Sequence, residues 1–306
     1  MLNALRFDLK KNIISAPFLL GTAALLLLCL MTSCTVFNGA ADQPNYNYIQ
    51  FLIYADRDEM MSTYLYSDIC MFLRGFGGEW TAVFLPMLTG LACVPMLCDE
   101  VNSNNFRLCV TRFGRRRYIL SKLTAALITA VLMIVTVTVI FGLFCLIAFP
   151  SPQEYIDLAE GKEQLMMRQS FTFSEYPLNA MFGSRSRALV ALSRLITLSL
   201  YSEVPCMLSM IMGALTLNKF VSLSVPVMLY FAVRQLAVSA VQSAYEEMRE
   251  LPKLWFFEVR ERFMYGETQF EEVMHLPAVW FYVYPIAVLF LLGALFYRLM
   301  KRRVSV

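Results

Sequence analysis

The chain has 306 residues, with 26 Lys and Arg against 23 Asp and Glu, a net charge of +3, and 16% charged beside 58% hydrophobic residues. Its mean hydropathy is +0.57, which excludes a soluble globule of this length and points to an integral membrane protein. The apolar runs are continuous rather than alternating and reach the roughly 20 residues a helix needs to cross a hydrocarbon core, so the expected class is all-α and not a barrel.

The first 12 residues set Leu2, Leu5 and Leu9, with Ile13 just beyond, at helical spacing, and keep Arg6 and Lys10 off that stripe. This pattern predicts an amphipathic helix lying in the membrane interface, in preference to one packed on protein. A first span is expected over about 13–34. Its apolar part is long and no clear small-residue cleavage site follows, so it is expected to stay in the mature protein. A segment over 36–79 is rich in tyrosine, including Tyr46, Tyr48, Tyr54, Tyr64 and Tyr66, which predicts short helices with amphipathic rings at the headgroup layer.

The second span is expected at about 80–98, and the densest polar block of the chain follows it. Asp99, Glu100 and Asn102 open the block and suit the N-cap region of a short helix carrying Phe106, Arg107 and Leu108. Gly114 breaks the chain, and Arg115, Arg116, Arg117 and Tyr118 lead to Lys122 at the start of a third span over about 118–149. The apolar side of the short helix is expected to dock in a groove on a soluble partner.

A segment over 150–187 leads to a fourth span at about 188–217, which turns at Asn218 and Lys219 into a fifth at about 220–242. Glu203 lies fifteen residues before Asn218 and Arg234 fifteen after Lys219. At about 1.5 Å per residue both stand roughly 22 Å from the turn, which predicts an intramembrane ion pair. The charged, aromatic segment 243–276 precedes a sixth span at about 277–300, and Lys301, Arg302 and Arg303 close it. Pro17, Pro86, Pro95, Pro205 and Pro226 fall within spans and are expected to bend them.

Charge sets the expected orientation. With both termini inside, the short inner segments hold Arg6, Lys10, Lys11, Arg107, Arg112, Arg115, Arg116, Arg117, Lys122, Lys219, Arg298, Lys301, Arg302 and Arg303. Only three acids, Asp8, Asp99 and Glu100, accompany them. Arg116, Arg117, Arg302 and Arg303 are expected to anchor the protein to anionic lipid.

Catalytic signatures are missing. There is no Walker-type loop, no HExxH and no Gly-x-Ser-x-Gly elbow, and the single His275 sits at a span boundary. The eight cysteines show no paired ligand spacing, and Cys34 with Cys70, both on the outer side, are the candidate disulfide pair. Neither an enzyme nor a cofactor, metal site or nucleic-acid partner is expected.

Glu100, Arg107-Leu108, Arg112, Arg115, Tyr118 and Lys122 resemble the motif of ABC-2 type ABC transporter permeases, whose second span ends on a Glu before a short interfacial helix and a basic re-entry. Six spans, inner termini and a basic amphipathic start agree with that family. Asn104-Asn105 stand where many members carry Gly-Thr, and the first and third outer segments are longer than in compact members. The resemblance implies a bacterial plasma-membrane exporter subunit that pairs with a second permease copy, identical or different. It also implies a separate ATP-binding cassette subunit seated on the loop, with Glu100, Phe106, Arg107, Arg112 and Arg115 as the coupling residues. The competing reading is a non-transporting sensor or immunity component that binds a peptide through the large outer segments.

Overall fold

The computed structural model describes residues 2–33, 46–54, 66–103, 105–158, 187–246, 270, 274–277 and 279–303. Among them the chain is helical throughout, with no strand beyond an isolated bridge between Ser33 and Asn47. Among the described residues four helices are long and apolar enough to cross a membrane, and two bent helix pairs raise the number to as many as six. Membrane character is therefore shared by sequence and structure.

The first bent pair is α1 (Leu2–Ile13) and α2 (Ala16–Met31), which meet at 55°. Ser15 makes the corner: its hydroxyl accepts the Phe18 N–H at 3.2 Å, and Pro17 sits in the first turn of α2. There proline has no helical acceptor to lose, so it starts a helix where a bend was expected within one. At 16 residues α2 is about 24 Å long, short of a full crossing. Two small helices follow, α3 (Tyr48–Tyr54) and α4 (Asp68–Phe76).

The second bent pair is α5 (Glu79–Leu91) and α6 (Val94–Asn102), which meet at 41°. Pro86 lies inside α5, and Pro95 opens α6 just after the break. Across that break Cys93 Sγ lies 3.7 Å from Cys206 Sγ, both buried. The short helix α7 (Asn105–Phe113) is separated by Gly114 from α8 (Arg115–Ala148). Gly114 has φ +82°, a left-handed conformation that lets two helices meet at one residue. At 34 residues α8 runs about 51 Å, so its first turns extend past a hydrocarbon core of roughly 30 Å.

The other helices among the described residues are α9 (Pro152–Leu158), α10 (Arg187–Thr216), α11 (Lys219–Glu246) and α12 (Val279–Arg303). The tight hairpin expected between spans four and five is present: Leu217 adopts φ 56°, and Asn218 Oδ1 accepts the Phe220 N–H at 3.0 Å to cap α11. Helix α10 is the hub, packing on α5, α6, α8, α11 and α12. A Cβ at Gly90 would lie 2.9 Å from Ser209 Oγ, so α5 and α10 approach as closely as small residues allow.

Among the described residues two large cores fill the bundle, beside a small third one of Val241, Phe270 and Phe281. One, at the aromatic end, centres on Phe141, which meets Tyr48 edge-on at 5.4 Å and Phe76 edge-on at 5.7 Å, with Phe72 and Phe144 beside it. The Tyr48 hydroxyl donates to the Met71 carbonyl at 2.5 Å. Tyr48 and Tyr66 are thus core residues, where the sequence suggested headgroup rings, because α3 and α4 fold back onto α2 and α8. Tyr54 remains exposed, and Tyr64 lies outside the described residues. The other core, at the basic end, gathers Leu97, Cys98, Tyr118, Ile119, Met207, Met210, Phe296 and Met300. Around the bundle Ile147, Met228, Phe290 and Leu291 stand exposed, as lipid-facing side chains do.

Candidate functional site

The amphipathic helix α1 forms as its spacing predicts, but its most buried row is Ala4, Asp8 and Asn12 rather than the leucine stripe. That row packs on α8, with Asn12 Nδ2 donating to Thr129 Oγ1 at 3.3 Å. Packing on protein, the reading the sequence disfavoured, is therefore how this face is used; Leu5, Leu9 and Ile13 are half-buried and Phe7 is exposed. Small and polar side chains let α1 lie close to α8 while each polar group finds a partner.

Asp8 leads to the strongest electrostatic feature of the described structure. Lys122 Nζ stands 2.6 Å from Asp8 Oδ1 and 2.7 Å from Glu100 Oε2, and Lys11 Nζ reaches the same Glu100 oxygen at 3.3 Å. The Ser121 hydroxyl donates to the other Asp8 oxygen. Glu100 and Asp8 are almost fully buried, Lys122 is nearly so, and Lys11 is open to solvent. One ammonium thus ties α1, α6 and α8 together with charge-assisted hydrogen bonds. Glu100 lies past Cys98, beyond the apolar part of the second span. Burial raises its carboxyl, but the Lys122 charge and hydrogen bond, with Tyr118 and Lys11 adding to them, hold it below the ordinary carboxylate range.

Against this cluster lies α7. Phe106, Cys109 and Val110, at i, i+3 and i+4, are partly buried against the basic-end core. The opposite face presents Arg107, Leu108, Thr111 and Arg112 to solvent, with Leu108 72% exposed. The guanidiniums of Arg107 and Arg112 lie 6.0 and 5.5 Å from the ring centroids of Phe106 and Phe113. The apolar side expected to receive a partner is therefore turned into the protein's own core, taking Phe106 with it. Leu108 is the apolar residue that α7 offers outward.

The capping expected of Asp99, Glu100 and Asn102 does not occur at α7, because all three complete α6 and turn elsewhere. Asp99 Oδ1 is 2.6 Å from Lys219 Nζ, and Asn102 Nδ2 donates to the Leu217 carbonyl at 3.1 Å. Both contacts fasten the end of α6 to the α10–α11 hairpin. Arg303, expected as a lipid anchor, donates to the Leu215 carbonyl and helps close the same helix end. Arg302 and the exposed Arg116 and Arg117 stand at the ends of α12 and α8. Arg115 is half-buried at the first position of α8, outside the hydrogen-bonded cluster around Glu100.

The expected pair of Glu203 and Arg234 is not formed. Both side chains are buried, yet both Glu203 carboxylate oxygens are without a hydrogen-bond partner. A tight turn constrains distance along the two helices but not azimuth, since each helical residue turns the side chain by about 100°. Arg194, on α10 with Glu203, is also buried. His275 is exposed with φ 53° at the approach to α12. Cys34, and with it the Cys34–Cys70 pair, lies outside the described residues, as does most of 150–187 and 243–276.

Sequence reasoning names Glu100 as a site residue, takes Leu108 and Lys122 only as parts of the motif, and gives Asp8 and Lys11 no role beyond the inner charge count. Asp8 carried a signal, being the one acid in the otherwise basic α1. Leu108 could be told from Phe106 only through the rotational setting of α7. In comparisons with protein-family models, with curated proteins and with solved structures, the chain matches none of them.

Proposed function

We propose that this chain is the membrane-spanning permease subunit of an ATP-driven exporter in a bacterial plasma membrane, its basic end facing the cytoplasm. A separate ATP-binding cassette subunit seats on α7, and a second permease copy completes the pathway. The carrying observation is the two-sided character of α7: Phe106, Cys109 and Val110 fix it to the core, while Arg107, Leu108 and Arg112 form an outward face. The cluster of Asp8, Glu100, Lys11 and Lys122 stands directly behind it. The resemblance of 99–122 to ABC-2 permeases supplies the identity of the partner, and the cation asymmetry supports the orientation.

A push on α7 by a nucleotide-driven subunit moves the membrane helices only if its contact free energy differs between nucleotide states. The lysine-centred cluster would transmit that difference, because α1, α6 and α8 share one ammonium and cannot shift independently without breaking a short ion pair. Glu100 in this reading is a positioning residue behind the docking face rather than a contact on it.

Co-purification tests the reading. A nucleotide-binding protein is expected to come down with the wild type and to be lost with Leu108→Asp. Because Leu108 is solvent-exposed, thermal stability should change by no more than about 0.5 kcal/mol. Retention of the partner by Leu108→Asp, or absence of an ATP-binding partner from the wild type, would overturn it.

A further inference from the structure

We infer that a recess at the basic end, between the α7–α8 turn and the last turns of α12, binds the phosphate headgroup of one anionic phospholipid molecule. The recess has a volume of about 540 Å³ and is lined by Phe113, Gly114, Arg115, Arg116, Arg117, Tyr297 and Lys301.

The charges there are unbalanced. Lys122, Lys11 and Lys219 are each neutralised by a carboxylate, and Arg303 is taken up by a carbonyl. Among the described residues Arg115, Arg116, Arg117 and Lys301 form no ion pair, and the Arg115 Nε–H is buried without an acceptor. Three of these four cations also occupy the first turn of α8, the positive end of a 34-residue helix, with no acidic residue in that turn. Cations at a helix N-terminus oppose the helix dipole, and this arrangement becomes favourable only when an anion enters.

Local backbone geometry favours the same ligand. Gly114 precedes α8 and provides no side-chain cap, so the first N–H groups of the helix receive no acceptor from it. A Cβ at Gly114 would have nothing within 4 Å, so the approach is open. Guanidinium forks and helix-terminal N–H groups together suit the several oxygens of a phosphate better than a single carboxylate.

A lipid headgroup is favoured over free phosphate by the apolar surface leading away from the recess. On α12, Phe290, Ala294, Tyr297 and Lys301 follow one another at helical spacing, and Phe290 is 80% exposed. On α8, Leu120 stands one turn beyond Arg116 and is 37% exposed. Charge in the recess and apolar side chains along two adjoining helices match a headgroup with its acyl chains. This reassigns Arg115 from coupling contact to lipid ligand and does not depend on the transport reading, because a lipid preference needs no ATP-binding subunit.

Native mass spectrometry of the full-length protein, delipidated and titrated with dioleoylphosphatidylglycerol or dioleoylphosphatidylcholine, tests the site. The wild type is expected to hold one phosphatidylglycerol about tenfold more tightly than phosphatidylcholine. The triple variant Arg115→Gln/Arg117→Gln/Lys301→Gln should lose that preference, whereas Arg6→Gln/Lys10→Gln/Arg298→Gln, which removes the same charge elsewhere, should keep it. Equal losses in the two triple variants would reduce the effect to general surface charge and overturn the site. Displacement of the lipid by an equal concentration of inorganic phosphate would overturn the lipid assignment in favour of free phosphate. Should the recess triple variant misfold, Lys301→Gln alone, on the exposed end of α12, is expected to lower the preference about threefold, and an unchanged preference would overturn the proposal.

Discussion

The two ends of the bundle are held together by different physics. At the aromatic end, α2, α3, α4 and α8 close around Phe141 and Tyr48, nearly all apolar, with each ring braced by the next. At the basic end, α1, α6, α7 and α8 meet around one buried ammonium and two buried carboxylates. Dispersion and burial are short-ranged and additive over many contacts, so the aromatic end loses stability gradually as its core is eroded. An ion cluster is all or nothing, since removing one member leaves the others buried and uncompensated. A part that must report on a partner is better built the second way, and it is at this end that α7 turns an exposed face outward.

The sharpest way to break that comparison is Lys122→Met, which leaves two buried carboxylates, Asp8 and Glu100, with only the solvent-open Lys11 on Glu100 to answer them. It should destabilise the detergent-solubilised protein by about 3–5 kcal/mol in thermal unfolding. Removing all three charges with Asp8→Asn/Glu100→Gln/Lys122→Met should recover most of that loss, and a triple variant as unstable as the single one would show that packing, not charge, holds this end.

The aromatic end is probed by Gly75→Ala. The new methyl would fall 2.3 Å from Phe141 Cζ, and Phe141 is fully buried among Tyr48, Phe72 and Phe76, with no room to yield. The expected cost is about 1–3 kcal/mol by the same measurement, without change in partner co-purification. A silent Gly75→Ala would mean that this core is looser than its ring geometry implies.

The smallest effect is expected at Glu203 and Arg234. A double-mutant cycle of Glu203→Gln and Arg234→Gln should give a coupling energy below about 0.5 kcal/mol, since the two side chains do not meet. Coupling well above that would restore the ion pair.

Much of the helical order was legible in the residues. Apolar runs located the long helices, Asn218 and Lys219 marked the hairpin, and Gly114 marked the break that its φ of +82° explains. Errors came where a one-dimensional pattern was asked for a direction. The stripe of Leu2, Leu5 and Leu9 was read as the working face of α1, yet Ala4, Asp8 and Asn12 are the residues buried on α8. Phe106 is expected among the coupling residues on the docking side of α7, yet the helix rotates it onto the basic-end core and exposes Leu108. Counting residues along a hairpin fixes distance from the turn but not rotation, and both Glu203 oxygens are without a hydrogen-bond partner.

By itself the sequence determined the solvent this protein requires, the helical class and the concentration of cations around 107–122. Those properties follow from composition and from the 1.5 Å rise of a helix, both of which are local. Only the tertiary structure decided that Lys122 answers to Asp8 and Glu100 from two other helices, while Arg115, Arg116, Arg117 and Lys301 face a recess with no counter-charge among the described residues. Coulomb and hydrogen-bond partners are set by rotation about each helix axis and by which helices adjoin, and a chain written in one dimension carries neither.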